Sequence, residues 1–371
     1  MKTTIHTQLM KVSAALVLMT GGMLGGVQPF SQTPTVDAAS VSTSQKHLQS
    51  QIYQALSARK SSVKLTYSGS VNELKKAIET ALEAAIDQDP YTHYIMKGYA
   101  YSLAGRGTSS SAELNLTYRE TAAQSAYVHK QVSAALRKIT KPGMNDHLKV
   151  KAIHDWVVRT LKYDTTLSKF TAYEGLKTGS TVCQGYALLT YDMLKQAGFE
   201  TNIVEGYVKG EAHAWNMVKL DGKWYQLDTT WDDPVPDLGD HGVTTYYLVS
   251  DQQLRQDHTW KTANYPQAIT SYAQTLDGLV ANGVKGAKEL RTALGYSSGS
   301  GSYVSNSDGL RRIVKAADQK GEDRLTFQYK GTKSKLKQDL LSLYDYGLSP
   351  TGYTSQALSG SNKWKVTLYW K

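Results

Sequence analysis

The sequence predicts an α+β protein of more than one domain, and three observations carry that expectation. A chain of 371 residues exceeds what one hydrophobic core usually organises. Two alternating runs, "HAWNMVKL" and "KWYQLD", meet at Asp221-Gly222, a strong signal for a two-residue β-hairpin turn. Helical and extended segments alternate at both ends of the chain, in an order that returns.

Taken in chain order, Lys2 and Lys11 precede the apolar stretch "VSAALVLMTGGMLGGV", with a cleavage point after Ala38. Residues 1–38 thus read as a signal peptide, and the expected location is secreted, with cell-wall association as a further option. The apolar run is too short and too rich in glycine for a comfortable membrane span, which leaves an uncleaved membrane anchor as the alternative to export, and no later segment reaches eighteen consecutive apolar residues. Residues 39–138 form an N-terminal α+β region: a short helix, a strand "SVKLTYSG", a helix "NELKKAIETALEAAI" and a strand "AELNLTYRE". Residues 139–268 are the central domain, opening with a helix in "NDHLKVKAIHDWVVRT" capped by Asn145 or Asp146. Residues 269–371 form a C-terminal α+β region with a Gly/Ser-rich loop at 295–309. There the helix "DGLRRIVKAAD", strand "RLTFQYKG", helix "SKLKQDLLSLYDYG" and strand "KWKVTLYWK" repeat the N-terminal order. Gly69 and Gly331 each precede a helix leucine, Leu74 or Leu336, by five residues, as in a degenerate repeat flanking a different domain.

The formal charge of +10 becomes +9 without residues 1–38. That balance suits a solvated basic surface and anionic surroundings such as surface polymers. Nucleic-acid binding is not expected, because the chain has no arginine-rich run or nucleic-acid motif.

Cys183 is the only cysteine, so no disulfide can form within the chain. Thr181 and Gln184 have the spacing of a capping box, which predicts Cys183 as the second residue of a helix that continues through "YALLTYDMLKQAG" to its end at Gly198. A sulfur there meets unsatisfied backbone N–H groups and the positive end of the helix dipole, a setting that favours thiolate. Gly185 removes a side chain just beyond it. In the hairpin, Leu220 opposite Lys223 makes Trp215 face Asp228 and His213 its diagonal neighbour. Asp228 can then orient His213, whose other nitrogen faces the thiol. Each residue alone suits a structural role; together they fit a nucleophile, a base and an orienting acid.

On "VCQGYA", "HAWNMV" and "GKWYQLDTTWDD" the central region resembles the transglutaminase-like superfamily, a branch of papain-like cysteine enzymes. "IHDWVVRTLKYD" and "YYLVSDQQLRQDHTW" extend the likeness, which covers roughly residues 145–265. The resemblance implies a cysteine-bearing helix packed on an antiparallel sheet, with Cys183 as nucleophile, His213 as base and Asp228 as orienting acid. Gln184, Gly185 and Trp215 fall in the substrate and oxyanion vicinity. The family's upstream tryptophan has no counterpart among Tyr163, Phe170 and Tyr173, and His258 fits the pattern as a structural residue. The implied activity is transamidation or hydrolysis of amide bonds in protein or cell-wall peptide, without a cofactor. The rival expectation is a non-catalytic surface or wall-binding protein that retains the scaffold.

Three further motifs are weaker. Gly295, Ser297 and Gly299 match a serine-hydrolase pattern in low-complexity surroundings. Asp232, Asp233, Asp237 and Asp240 read as a solvated acidic loop rather than a calcium site. His154, His241 and His258 lack zinc-ligand spacing.

Overall fold

The computed structural model describes residues 45–233, 243–296, 303–322, 324–358 and 362–370. The expected signal peptide, Asp237, Asp240, His241, Ser297 and Gly299 lie outside the described residues. No helix among the described residues is long and apolar enough to cross a membrane.

The N-terminal part runs α1 (Gln45–Ser57), β1 (Ser62–Ser68), α2 (Val71–Ile86), α3 (Pro90–Ile95), β2 (Met96–Arg106) and β3 (Ser109–Tyr118), followed by α4 (Ala122–Ile139). Its antiparallel sheet has the order β1-β3-β2. A reciprocal capping box between Ser70 and Glu73 starts α2, satisfying two backbone donors that helix geometry leaves open. The apolar stripe of α2, Leu74, Ile78 and Leu82, then packs with Leu48, Ile52, Leu65 and Leu114 in one core.

The central part comprises α5 (Asp146–Thr160), β4 (Lys162–Tyr163), α6 (Ala172–Thr178), β5 (Ser180–Thr181), α7 (Cys183–Gln196), β6 (Thr201–Val208), β7 (Glu211–Leu220), β8 (Lys223–Leu227), α8 (Asp251–Leu254) and β9 (His258–Trp260). Its main sheet is antiparallel, in the order β8-β7-β6-β9. Asn145 caps α5 by accepting from Leu148 N–H, leaving Asp146 as the first helical residue. Positive φ at Asp221 (49°) and Gly222 (74°) gives the tight turn whose twist suits a hairpin. The register follows the sequence count: Leu220 pairs with Lys223 and Asn216 with Leu227. Alternation along β7 sends Ala214, Val218 and Leu220 into the core that contains Leu188, Leu189, Met193 and Leu194 of α7. Trp215 and Met217 join a second cluster with Val204, Val249 and Leu254. The cysteine-bearing helix therefore lies on an antiparallel sheet. Asn216 ties the two layers, its Nδ2 donating to Ala187 O at 3.0 Å.

The C-terminal part contains α9 (Tyr272–Ala281), α10 (Ala287–Ala293), β10 (Tyr303–Val304), α11 (Ser307–Gln319), β11 (Arg324–Lys330), α12 (Lys333–Leu341), β12 (Gly352–Ala357) and β13 (Lys363–Tyr369). Helices α4, α9 and α10 contribute Val132, Leu276 and Leu290 to the core of the central sheet. The remaining strands form a sheet of order β10-β11-β13-β12 over its own core, which includes Leu310, Leu336 and Leu368.

The two flanking sheets share a topology. In each, the strand before the long helix pairs antiparallel with the last strand of a hairpin, and the hairpin's first strand takes the edge: β1-β3-β2 and β11-β13-β12. Leu74 and Leu336 are both buried. A Cβ on Gly69 would stand 2.5 Å from the Tyr67 ring, and one on Gly331 would stand 2.9 Å from the Tyr329 ring. Each glycine thus makes room for a tyrosine two residues earlier. The first hairpin strand of each flank, β2 or β12, adds a strand to the expected helix–strand–helix–strand order.

Candidate active site

Cys183 opens α7, one residue earlier in the helix than the sequence spacing suggested. Val182 is the N-cap and no side chain caps the helix. Thr181 makes no capping box because it belongs to β5, where it pairs with Tyr163, and its hydroxyl donates to the carbonyls of Lys169 (3.1 Å) and Thr171 (3.3 Å). As first helical residue, Cys183 has a backbone N–H with no partner four residues earlier.

The structure brings Cys183, His213 and Asp228 together. His213 Nε2 lies 2.7 Å from Asp228 Oδ2, which leaves Nδ1 as the ring nitrogen free for the Cys183 thiol, a group close enough to raise the pKa of the ring. The exposures are 2 % for Cys183, 7 % for His213 and zero for Asp228. Burial opposes a charged imidazole, but the Asp228 carboxylate and the contact with Cys183 outweigh it and raise the His213 pKa to about 10. Burial likewise opposes ionisation of Asp228, yet His213 and His258 hold its carboxyl well below the usual carboxylate range. Its other oxygen, Oδ1, accepts from the backbone N–H groups of Thr230 (3.0 Å) and Trp231 (3.1 Å).

The three other residues expected near substrate are placed differently. Gln184 is buried and donates from Nε2 to Tyr94 O at 2.8 Å, fastening α7 to α3. Gly185 faces Thr181, whose Oγ1 would stand 2.0 Å from an added Cβ; close packing against β5 accounts for the glycine, not space for a substrate backbone. Trp215 stacks on His213 with ring centroids 5.7 Å apart and donates to Gln226 Oε1 at 2.7 Å. It is a fully buried backing for the imidazole.

Sequence reasoning missed the part played by His258. On β9, its Nε2 lies 3.1 Å from the same Asp228 Oδ2, and its Nδ1 lies 2.6 Å from Asp257 Oδ1. Only the β6–β9 pairing, Val208 with His258, brings it there. The ligand-type atoms of His213, Asp228 and His258 fall within 4.8 Å of one another. Both ring nitrogens facing Asp228 are at hydrogen-bond distance from one carboxylate oxygen, so each carries its proton toward that oxygen rather than a lone pair toward a common metal centre.

The acidic segment is also buried rather than solvated where it is described. Asp232 accepts from Tyr246 N–H (2.8 Å) and faces His154 Nε2 (3.1 Å); Asp233 accepts from Tyr186 OH on α7 (2.5 Å). Lys365 of β13 reaches in to donate to Thr244 O. Of the three aromatics before Cys183, Tyr163 is the one whose ionisation the thiol opposes, after burial. Phe170 sits 4.8 Å beneath Arg119, and Tyr173 packs edge-on to Tyr127.

The head of α7 thus holds the thiol beside an imidazole that a buried carboxylate orients. The profile of the transglutaminase-like superfamily matches residues 133–229, so the central part of the chain is a transglutaminase-like domain. The chain is similar to kyphoscoliosis peptidase of Mus musculus, at 25 % identity over 185 residues, covering 42 % of this chain and 28 % of that protein. The Homo sapiens protein of that name is 28 % identical over 156 residues, covering 34 % of this chain and 24 % of its own. The chain thus spans about a quarter of the length of these curated relatives. A solved TGase structure aligns at 16 % identity over 45 % of this chain and 50 % of its own, with a TM-score of 0.26.

Proposed function

We propose that the chain is a cysteine enzyme that acts on amide bonds of protein or peptide through a thioester acyl-enzyme. The observation that carries this reading is the buried set Cys183, His213, Asp228, with Asp228 2.7 Å from His213 Nε2 and the thiol close enough to raise the pKa of the same ring. The Cys183 sulfur, having given its proton to His213 Nδ1, attacks the amide carbonyl and forms a C–S bond. The backbone N–H of Cys183 faces the oxygen as it gains charge. His213 then donates the proton to the leaving nitrogen, and the C–N bond breaks. In the second half, His213 takes a proton from water or a primary amine as that nucleophile attacks the thioester. The C–S bond breaks, releasing an acid or a new amide. Asp228 keeps the imidazolium stable and the ring oriented throughout.

Support comes from the superfamily match over residues 133–229 and from relatives named as peptidases. Export with action on cell-wall peptide remains part of the proposal, resting on the reading of residues 1–38. The scaffold reading is favoured by one observation, the 2 % exposure of Cys183.

The test has two arms. Full-length protein is incubated with glutamine-containing protein plus a labelled primary amine, and separately with cell-wall peptides. Amine incorporation lost in Cys183→Ala identifies transamidation; new carboxyl ends without incorporation identify hydrolysis. Neither product, together with labelling of Cys183 by a haloacetamide at pH 7 that His213→Ala leaves unchanged, refutes the enzyme in favour of the scaffold.

A further inference from the structure

We propose that His258 is a positioning residue: a fixed imidazolium, clamped between Asp257 and Asp228, that holds the Asp228 carboxylate and limits the basicity of His213. This rests on the reading of His213 as the working imidazole.

The geometry supplies the charge. His258 is fully buried, and each of its ring nitrogens faces a carboxylate oxygen: Nε2 to Asp228 Oδ2 at 3.1 Å and Nδ1 to Asp257 Oδ1 at 2.6 Å. An ionised carboxylate has only lone pairs to offer, so both nitrogens carry hydrogens and the ring is cationic. Asp257 is held for this contact by Tyr246, whose hydroxyl donates to Oδ2 at 2.6 Å. The ring is enclosed by Trp215, Trp231 and Tyr246 at centroid distances of 5.2, 5.8 and 5.3 Å. It has no room to turn away.

Asp228 Oδ2 therefore serves two rings at once. When His213 is protonated, two cations with centroids 5.6 Å apart share one negative charge. Without His258, the whole field of Asp228 would fall on His213, and its proton would be held too tightly for easy transfer to a leaving amine. At an effective dielectric of about 20, the repulsion across that separation corresponds to about two pH units in the titration of His213. The shift directions agree: against burial, Asp228 and Asp257 raise His258, while His213 lowers it. Other ionisable groups on the surrounding elements are Cys183 on α7, Tyr163 on β4 and Glu211 on β7. Lys209 stands 4.9 Å over Trp231, and Arg255 stands 5.2 Å over Trp260. Tyr163 and Tyr246 are held neutral by burial and neighbouring carboxylates, and the groups that lower the Asp228 carboxyl are His213 and His258, so His258 is the second imidazole in direct contact with it. It also lies beyond the 133–229 superfamily match.

The test uses nitrogen-detected NMR of the histidine rings in the full chain carrying Cys183→Ala, with and without His258→Gln. Expected in the parent is a His258 with both ring nitrogens protonated at pH 7; a neutral tautomer there overturns the proposal. His258→Gln keeps a donor to Asp228 but removes the charge, and the His213 titration is expected to move up by about two pH units. An unchanged or lowered titration in a variant with parental circular dichroism overturns it, since a merely structural ring would not move His213 upward. If His258→Gln does not fold, the protonation state in the parent decides. Neither readout needs turnover, so this inference and the proposed enzymatic activity fail separately.

Discussion

Replacing Asp228 by asparagine removes one buried negative charge while keeping the side-chain shape. His213 is the group that should report it. The Nε2···Oδ2 separation of 2.7 Å puts the centres of charge about 4 Å apart, where opposite unit charges at an effective dielectric of 20 attract by about 4 kcal/mol. Since 1.36 kcal/mol corresponds to one pH unit, loss of the carboxylate removes about three units of proton affinity. His213, raised to about 10 in the parent, should then titrate near ~7. The NMR titration of its ring measures this directly. Turnover gives a second reading, because at pH 8.5 the variant would keep about 3 % of its imidazolium and the leaving amine would lack its proton donor. The ratio of rates at pH 8.5 and pH 6.5 should fall by about 25-fold relative to the parent. A variant His213 still titrating near its parental value, or a parent His213 already titrating at the free-imidazole value, would refute the reasoning.

Three further outcomes follow from the structure. Gly185→Ala places a methyl 2.0 Å from Thr181 Oγ1 and should lower stability by about 1–3 kcal/mol in urea melts; adding Thr181→Ala should recover part of the loss. His213 binds its proton more tightly folded than unfolded, with its pKa raised from 6.5 to about 10. The stability this gives is full below pH 6.5 and lost as pH rises through the folded value. The destabilisation caused by His213→Gln should therefore be largest below pH 6.5 and shrink toward pH 10, as denaturant titrations at several pH values would show. Leu74→Ala and Leu336→Ala each empty a separate core and should cost about 2–5 kcal/mol; loss of hydrogen-exchange protection should be confined to the mutated flank.

The hairpin and its His–Asp pair were legible in the sequence because strand alternation and an Asp-Gly turn are local signals with a fixed count. The start of α7 was displaced by one residue because Thr181 answers to Tyr163 and the carbonyls of a distant loop, which outweighs its capping spacing. Strands β2 and β12 were missed: "MKGYAYSLAGR" and "GYTSQA" have few β-branched residues, and only pairing with β3 or β13 makes them strands. Burial of Asp232 and Asp233 was invisible because it depends on His154 and Tyr186, 78 and 47 residues away. The hold of His258 on Asp228 likewise needs a strand pairing that no local pattern announces.

The Asp221-Gly222 turn has a consequence for how the chain can vary. His213 and Asp228 are only 15 residues apart, so a short ribbon carries base and acid as one cassette, and its two-residue bend acts as the ruler. Lengthening that bend by a single residue would slide one strand past the other and turn alternate side chains to the opposite face. Evolution can remodel the flanks and the helix that bears the sulfur with some freedom, but insertions at this bend would separate base from acid in one step.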